Sequence, residues 1–185
     1  MSIAAARELA PTGVLRAAIN LANFLLVTGE NENGEPTGVS PDLAASIAKA
    51  LEVEICYVGF NRPGELADAV VDDSWDIGLI AAEPARAQHI DFTAAYVEIE
   101  ATYLVSGDSK IQTITDVDQA GVRVVVAARS AYDLYLSRHL QHAELVRAEG
   151  LDESFDLFVR EQLDALAGLK PRLLSDVEKI ENARI

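Results

Sequence analysis

The stretch DIGLIAAEPARAQHIDFTAAY, residues 76–96, decides how the rest of the chain is read. With Trp75 in front of it, WDIGLI (75–80) reads as a strand that is apolar on both faces. Parallel strands covered by helices on both sides have that look. Past its carboxyl end come Ala81, Ala82, Glu83, Pro84 and a lone arginine, Arg86, and the segment then runs through Asp91, Phe92 and Thr93 to Tyr96. A guanidinium is planar and always charged, and open α/β sheets hold their ligands beyond the carboxyl ends of their strands. Arg86 therefore asks for a reason.

Outward from this stretch the chain alternates strand and helix. Toward the N-terminus, VLRAAIN (14–20) reads as a strand, TGENENGEPTG (28–38) as a polar loop and SPDLAASIAKALEV (40–53) as a helix. Ser40 is the expected N-cap of that helix, with Pro41 in the first turn and Leu43, Ile47, Ala50 and Leu51 on one face. EICYVGF (54–60) is a strand and PGELADAVVDD (63–73) a second helix. After Tyr96, EIEATYLVS (98–106) is extended, and VRVVVAA (122–128), SAYDLYLSRHL (130–140) and AELVRA (143–148) restart the alternation. LDESFDLFVREQL (151–163), a strand at LDALAG and KPRLLSDVEKI (170–180) follow. The expected architecture is α/β with two lobes, residues 1–92 and 93–185, each a sheet flanked by helices and meeting at a cleft. Because the chain stops at Ile185 straight after the last helix, the first lobe is expected to be incomplete, either as a fragment or completed by another chain through self-association.

Composition narrows the partners. The 185 residues are half apolar and carry 30 acidic against 15 basic side chains, a net charge of −15. A field of that sign repels nucleic acid and anionic lipid, so an anionic ligand needs locally placed cations or amide donors. Cys56 stands alone, which excludes an internal disulfide and a cysteine metal cluster. No G-x-S-x-G elbow, P-loop or dinucleotide glycine fingerprint occurs, so no catalytic residue, metal or cofactor is assigned. His139 and His142 lie three apart without a clustered acid and read as surface histidines. The N-terminus lacks the basic cluster and apolar region of a signal peptide.

GEPTGVSPDLAASIAKAL, WDIGLIAAEPARAQHIDFTAAYVEIEATYLV and RVVVAARSAYDLYL occur in the order and approximate spacing of family 3 extracellular solute-binding proteins, which the chain resembles from about Gly13 to about Leu174. The resemblance implies a type II periplasmic-binding-protein fold, with its first lobe truncated here. It also implies the job of an ABC importer's solute-binding component, capturing a small carboxylate-bearing solute between two lobes. Arg86 matches the arginine that grips the ligand's carboxylate. Ser130, Ala131 and Tyr132 match the helix start that offers it amides, and Asn20, Asn23 and Phe24 match the contacts of the first loop. Ala81, Ala82 and Glu83 match the pocket lining before the arginine. Two departures stand out. Asp76 to Arg86 is about two residues short, with Glu83-Pro84 replacing the usual hydroxyl pair. Counting from Asp164-Ala165, the acid that binds the ligand's ammonium is replaced by Leu169, followed by Lys170, which points to a carboxylate without an amine, or a di-acid met by Lys170.

Each of these residues also has an ordinary structural role to set beside the implied one. Arg86 can pair with Glu83 or Asp91 at the surface, Ser130 can simply cap its helix, and Asn20 and Asn23 can be turn formers. The family's membrane transport subunits are the implied partners. The resemblance implies the periplasm, whereas the N-terminus without an export signal keeps the cytoplasm open. Two other functions on this scaffold stay in view: a dehydratase acting on a cyclic carboxylate, with Glu83 as its acid, and a non-transport sensory module.

Overall fold

The computed structural model describes residues 3–185, which divide into two compact units, one ending at Asp91 and the other running from Phe92 to Ile185. The first unit opens with helix α1 (Ile3–Leu9) and strand β1 (Val14–Asn20). A two-stranded hairpin follows, β2 (Gly29–Glu30) with β3 (Pro36–Thr37), and then α2 (Val39–Leu51), β4 (Glu54–Phe60), α3 (Pro63–Asp68) and β5 (Ile77–Leu79). β1 is the middle of a three-stranded parallel sheet, paired along its whole length with β4 and through Ala17–Ile19 with β5. Being central, it is buried on both faces. Ala17 and Ile19 pack with Ala44 on the α2 side, and Ala18 packs with Leu66 and Trp75 on the other. Trp75 fixes that second face by donating its indole N–H to the Leu66 carbonyl at 3.0 Å.

The second unit holds β6 (Ala101–Ser106), β7 (Arg123–Ala127), α4 (Ala131–His139), β8 (Glu144–Ala148), α5 (Leu151–Arg160), β9 (Ala165–Leu169), α6 (Lys170–Val177) and β10 (Ala183–Arg184). Its sheet has the order β10-β6-β9-β7-β8. β7 runs parallel to β8 and β9, while β6 is antiparallel to β9 and β10. The run of valines in β7 explains its central place. Val124 and Val126 pack with Leu136 of α4 on one face, and Val125 packs with Phe158 of α5 and Leu173 of α6 on the other. No helix among the described residues is long and apolar enough to cross a membrane.

Several sequence expectations need correction. The polar loop at 28–38 contains the β2–β3 hairpin. α2 begins one residue earlier than expected, and Gly38 is its N-cap in place of Ser40. Gly38 has φ 127°, a conformation that side chains rarely adopt, and a Cβ there would lie 2.6 Å from the Leu26 carbonyl oxygen. Glycine is required at that crossing. Ser40 is instead buried, its amide donating to that same carbonyl at 3.0 Å. The buried stripe of α2 is Ser40, Pro41, Ala44, Ala48 and Leu51, with Ala50 exposed. α3 stops at Asp68 rather than Asp73, because the chain turns through Val70–Asp73, with φ 50° at Asp73, to lay Trp75 over the sheet. α1 and β10 had no expectation attached to them.

Two carboxylates tie strands together at their amino ends. Asp76, just before β5, accepts the Arg16 amide at 2.7 Å and pairs with its guanidinium at 2.7 Å, and the Asp76 amide donates back to the Arg16 carbonyl. Burial pushes the Asp76 carboxyl up, but the hydrogen bonds and charge of Arg16 outweigh it and hold the group below the usual carboxylate range. In the second unit, the half-buried Asp118 accepts the amides of Ala143, His142 and Gln141 at 2.7–3.0 Å, and these hold its carboxyl low as well.

Two predictions follow from this architecture. Gly38→Ala should cost about 1–3 kcal/mol in a denaturant titration, since it adds both backbone strain and a clash with Leu26. For Asp76 and Asp118 the folded pKa is depressed, so their stabilisation is complete above the unfolded value of about 3.9 and is lost as pH falls through the lower folded value. Thermal melts should be flat from pH 7 to about 5 and drop steeply below about 4, and Asp118→Asn should make that drop shallower.

Candidate functional site

In the first unit the site is assembled by the parallel register. β1 and β5 are hydrogen-bonded neighbours with Ile19 opposite Leu79, so the segments leaving their carboxyl ends start side by side. One segment carries Asn20, Asn23 and Phe24. The other carries Ala81, Ala82, Glu83 and Arg86. The sheet thus brings all seven to one edge, the ligand edge of open α/β folds.

The β5 segment is built around two buried charged residues. Glu83 and Arg86 are each only 5% exposed, whereas Ala81 and Ala82 are exposed. Glu83 accepts the Ala85 amide on one carboxylate oxygen at 2.9 Å, its carbonyl accepts the Ala87 amide at 2.9 Å, and the His89 amide donates to the Arg86 carbonyl at 3.0 Å to close a 3-10 turn over Arg86–Gln88. Arg86 donates from Nη1 to the Ala81 carbonyl at 2.8 Å. The arginine lies inside the unit, with Nη1 held by backbone and Nε buried without a hydrogen-bond partner among the described residues. In the β1 segment, the Asn20 side-chain oxygen accepts the Ala22 amide at 3.3 Å in a local turn. The carbonyl of Asn23 accepts from Leu26 and Val27, and Phe24 is 40% exposed.

The second unit offers a different anion-recognising element. Ser130 caps α4 with φ −65° and ψ 162°, and its side chain accepts the Asp133 amide at 3.1 Å. The amides of Ala131 and Tyr132 stand in the first turn, outside the helix ladder, where backbone donors and the helix dipole favour an anion. Burial pushes the Tyr132 phenol up to about 12, against the opposing pull of its Ser130 hydrogen bond and the Arg172 charge. It is neutral across the physiological range. Lys170, at the carboxyl end of β9, donates to Glu100 at 2.8 Å with both side chains well exposed, so a di-acid would have to compete with Glu100 for it.

Sequence reasoning missed the residue that organises this helix start. Asp133 is 2% exposed, and it accepts the Arg129 amide at 2.7 Å and the Arg147 Nε at 3.0 Å. It holds Arg129 in a left-handed conformation, φ 60°, immediately before the cap. The spacing Ser130-x-x-Asp133 is the signal that would have found it, because an acid three residues after a serine cap commonly bonds back past the helix start. His139 stacks on Tyr135 with ring centroids 3.9 Å apart, and the described residues contain no group of three side chains able to hold a metal ion.

The comparisons with known proteins agree on one family. The profile of the bacterial extracellular solute-binding proteins, family 3, matches residues 21–180. The amino-acid-binding protein AabA of Dichelobacter nodosus is 26% identical over 139 residues, covering 74% of this chain and 51% of that protein. Cyclohexadienyl dehydratase of Pseudomonas aeruginosa is 25% identical over 139 residues, covering 73% of this chain and 51% of that protein. The chain therefore spans about half the length of the curated relatives it matches. The crystal structure of an ancestral amino acid-binding protein, a precursor of cyclohexadienyl dehydratase, superposes with a TM-score of 0.75 at 24% identity, covering 94% of this chain and 78% of the other. That likeness shows the same α/β type II periplasmic-binding fold. This chain belongs to the bacterial extracellular solute-binding proteins, family 3.

Proposed function

We propose that the chain is the solute-binding component of an ABC-type importer, working on the extracytoplasmic side of the membrane and capturing a small carboxylate-bearing solute. The observation that carries this is Arg86, buried on the segment after β5 and held by the Ala81 carbonyl at the ligand edge of a parallel sheet. A guanidinium fixed there is suited to bidentate pairing with a carboxylate. Within the second unit, the capped start of α4 has first-turn amides suited to an anion. The name of the Dichelobacter nodosus relative, an amino-acid-binding protein, fits a ligand of this class.

A second reading, a dehydratase acting on a cyclic carboxylate, draws on the buried Glu83 two residues before Ala85, whose amide it accepts, and on the Pseudomonas aeruginosa relative. Incubation with a cyclohexadienyl carboxylate separates the two readings. Turnover that disappears in Glu83→Gln would replace the binding reading with the enzymatic one.

The binding reading is tested by a thermal-shift screen against amino acids, 2-oxo acids and dicarboxylates. A true ligand at about 100 times its Kd should add roughly 2.7 kcal/mol of apparent stability. Arg86→Gln should remove that shift, weakening binding by about 3 kcal/mol, or roughly 150-fold, and Arg86→Lys should recover only part of it. Ser130→Ala should lower the unliganded stability by about 1 kcal/mol. If no compound shifts the wild type, or if the shift survives in Arg86→Gln, the reading is wrong.

A further inference from the structure

The turn of the β2–β3 hairpin reads Asn31-Glu32-Asn33-Gly34-Glu35, and all of these residues are exposed. Of the asparagines at 20, 23, 31, 33, 61 and 182, Asn33 alone is followed by glycine. The turn uses its two asparagines differently. Asn31 is the clasp: its side-chain oxygen accepts the amides of Asn33 at 2.9 Å and Glu35 at 3.0 Å, and its Nδ2 donates to the Glu35 carboxylate at 2.9 Å. The Asn33 side chain makes no hydrogen bond among the described residues, so nothing holds its amide carbon away from the main chain. Gly34 follows at φ 78°, where glycine is at ease, and a Cβ built there would meet nothing within 4 Å. The space beside the Gly34 nitrogen is therefore open. Its N–H donates to the Asn31 carbonyl at 2.9 Å, a single bond at an exposed turn, where local opening costs little.

An unhindered backbone nitrogen one residue after a loose side-chain amide is placed for ring closure, which gains from its two reacting groups being held together. We infer that Asn33 is a site of spontaneous modification, at which the Gly34 nitrogen attacks Asn33 Cγ and the residue becomes aspartate or isoaspartate. In the first step the N–Cγ bond forms and the Cγ–Nδ2 bond breaks. Ammonia leaves with the proton from the Gly34 nitrogen, and a succinimide ring remains. In the second step water adds to one ring carbonyl, the bond from that carbon to nitrogen breaks, and the nitrogen takes back a proton. Opening at Cγ gives aspartate, and opening at the main-chain carbonyl gives isoaspartate. The sum is amide plus water to acid plus ammonia, with no oxidant or cofactor. Either product adds a carboxylate beside Glu32 and Glu35, and isoaspartate also lengthens the main chain of the turn by a methylene. The hairpin anchors the segment after β1 through the Thr28 amide on the Thr37 carbonyl at 2.8 Å, so the modification falls on the element that holds that segment.

The test is peptide mapping by mass spectrometry of the whole folded chain held at mildly alkaline pH, with isoaspartate counted by enzymatic methyl transfer from S-adenosylmethionine. Asn33 should show the mass change of an amide-to-acid exchange at least about tenfold faster than Asn31 or any other asparagine. Gly34→Ala should slow the exchange by about tenfold, because a methyl group then crowds the attacking nitrogen. Asn33→Gln, which would have to close a larger ring, should remove it, and this variant decides the matter should Gly34→Ala disturb the turn. The same mapping of the chain unfolded in urea isolates what the fold contributes. The folded rate should lie within about tenfold of the unfolded one. If Asn33 converts in urea but stays intact in the folded chain, the turn protects it and the inference is wrong. Equal rates at Asn31 and Asn33, or an exchange untouched by Gly34→Ala, overturn it as well.

Discussion

The two units rest on the same small device, an aspartate at the amino end of a strand that takes the amide of an arginine on the neighbouring parallel strand. Asp76 does this to Arg16, and Asp164 does it to Arg123 at 2.8 Å. In both cases the aspartate's own amide donates back to the arginine's carbonyl, and the arginine side chain reaches across to backbone carbonyls, of Asp73 in one unit and of Glu161 and Gln162 in the other. Parallel ladders are evenly spaced, so nothing in the hydrogen bonds alone prefers one register to the next. A two-way bond from a charged side chain at the first rung does. With the amino ends fixed, the segments that leave the carboxyl ends are fixed too, and those are the segments that carry Asn20, Asn23, Glu83 and Arg86.

The charge balance makes the local arrangement matter more. A chain at −15 repels anions at long range, so any carboxylate it holds must be held by donors at contact distance. The cations divide accordingly. Lys170 is exposed and engaged with Glu100, Arg172 is shared between Asp152 and Asp176, and Arg147 neutralises the buried Asp133. Arg86 is buried, and its Nη1 donates to the Ala81 carbonyl.

The strands were legible because their chemistry is local and repetitive. The apolar runs 14–20, 54–60 and 122–128 sit within a residue of β1, β4 and β7, and the Ser130 cap was readable from residue type alone. Helix ends proved less legible. Ser40 looked like a cap, but the crossing with Leu26 demanded a glycine two residues earlier, and no local pattern reports a contact with a carbonyl twelve residues away. α3 ended early because Trp75 needs to reach Leu66. The hairpin at 28–38 was hidden among polar residues, since two-residue strands carry too few side chains to show a period. In the candidate site, the residue types were readable, but which acceptor is spent and which is not depended on coordinates. Asn20 and Asn23 look alike in the sequence and differ only in whether a neighbouring amide reaches the side chain.

The crossing at Gly38 has a consequence for how this protein can change. The segment after β1 is sewn to the front of α2, with the amide of Thr28 on Thr37 and the amide of Ser40 on Leu26. Its shape is therefore dictated by the hairpin, the helix and the Asn20 turn, and the exposed Phe24 takes little part in that task. Such a segment works as a fixed rack on which residues can be exchanged without disturbing the frame. The exposed Phe24 can be replaced without touching those bonds, while a change at 38 would displace the whole segment at once. Tolerance at the tip and rigidity at the crossing are thereby assigned to different residues of the same short loop.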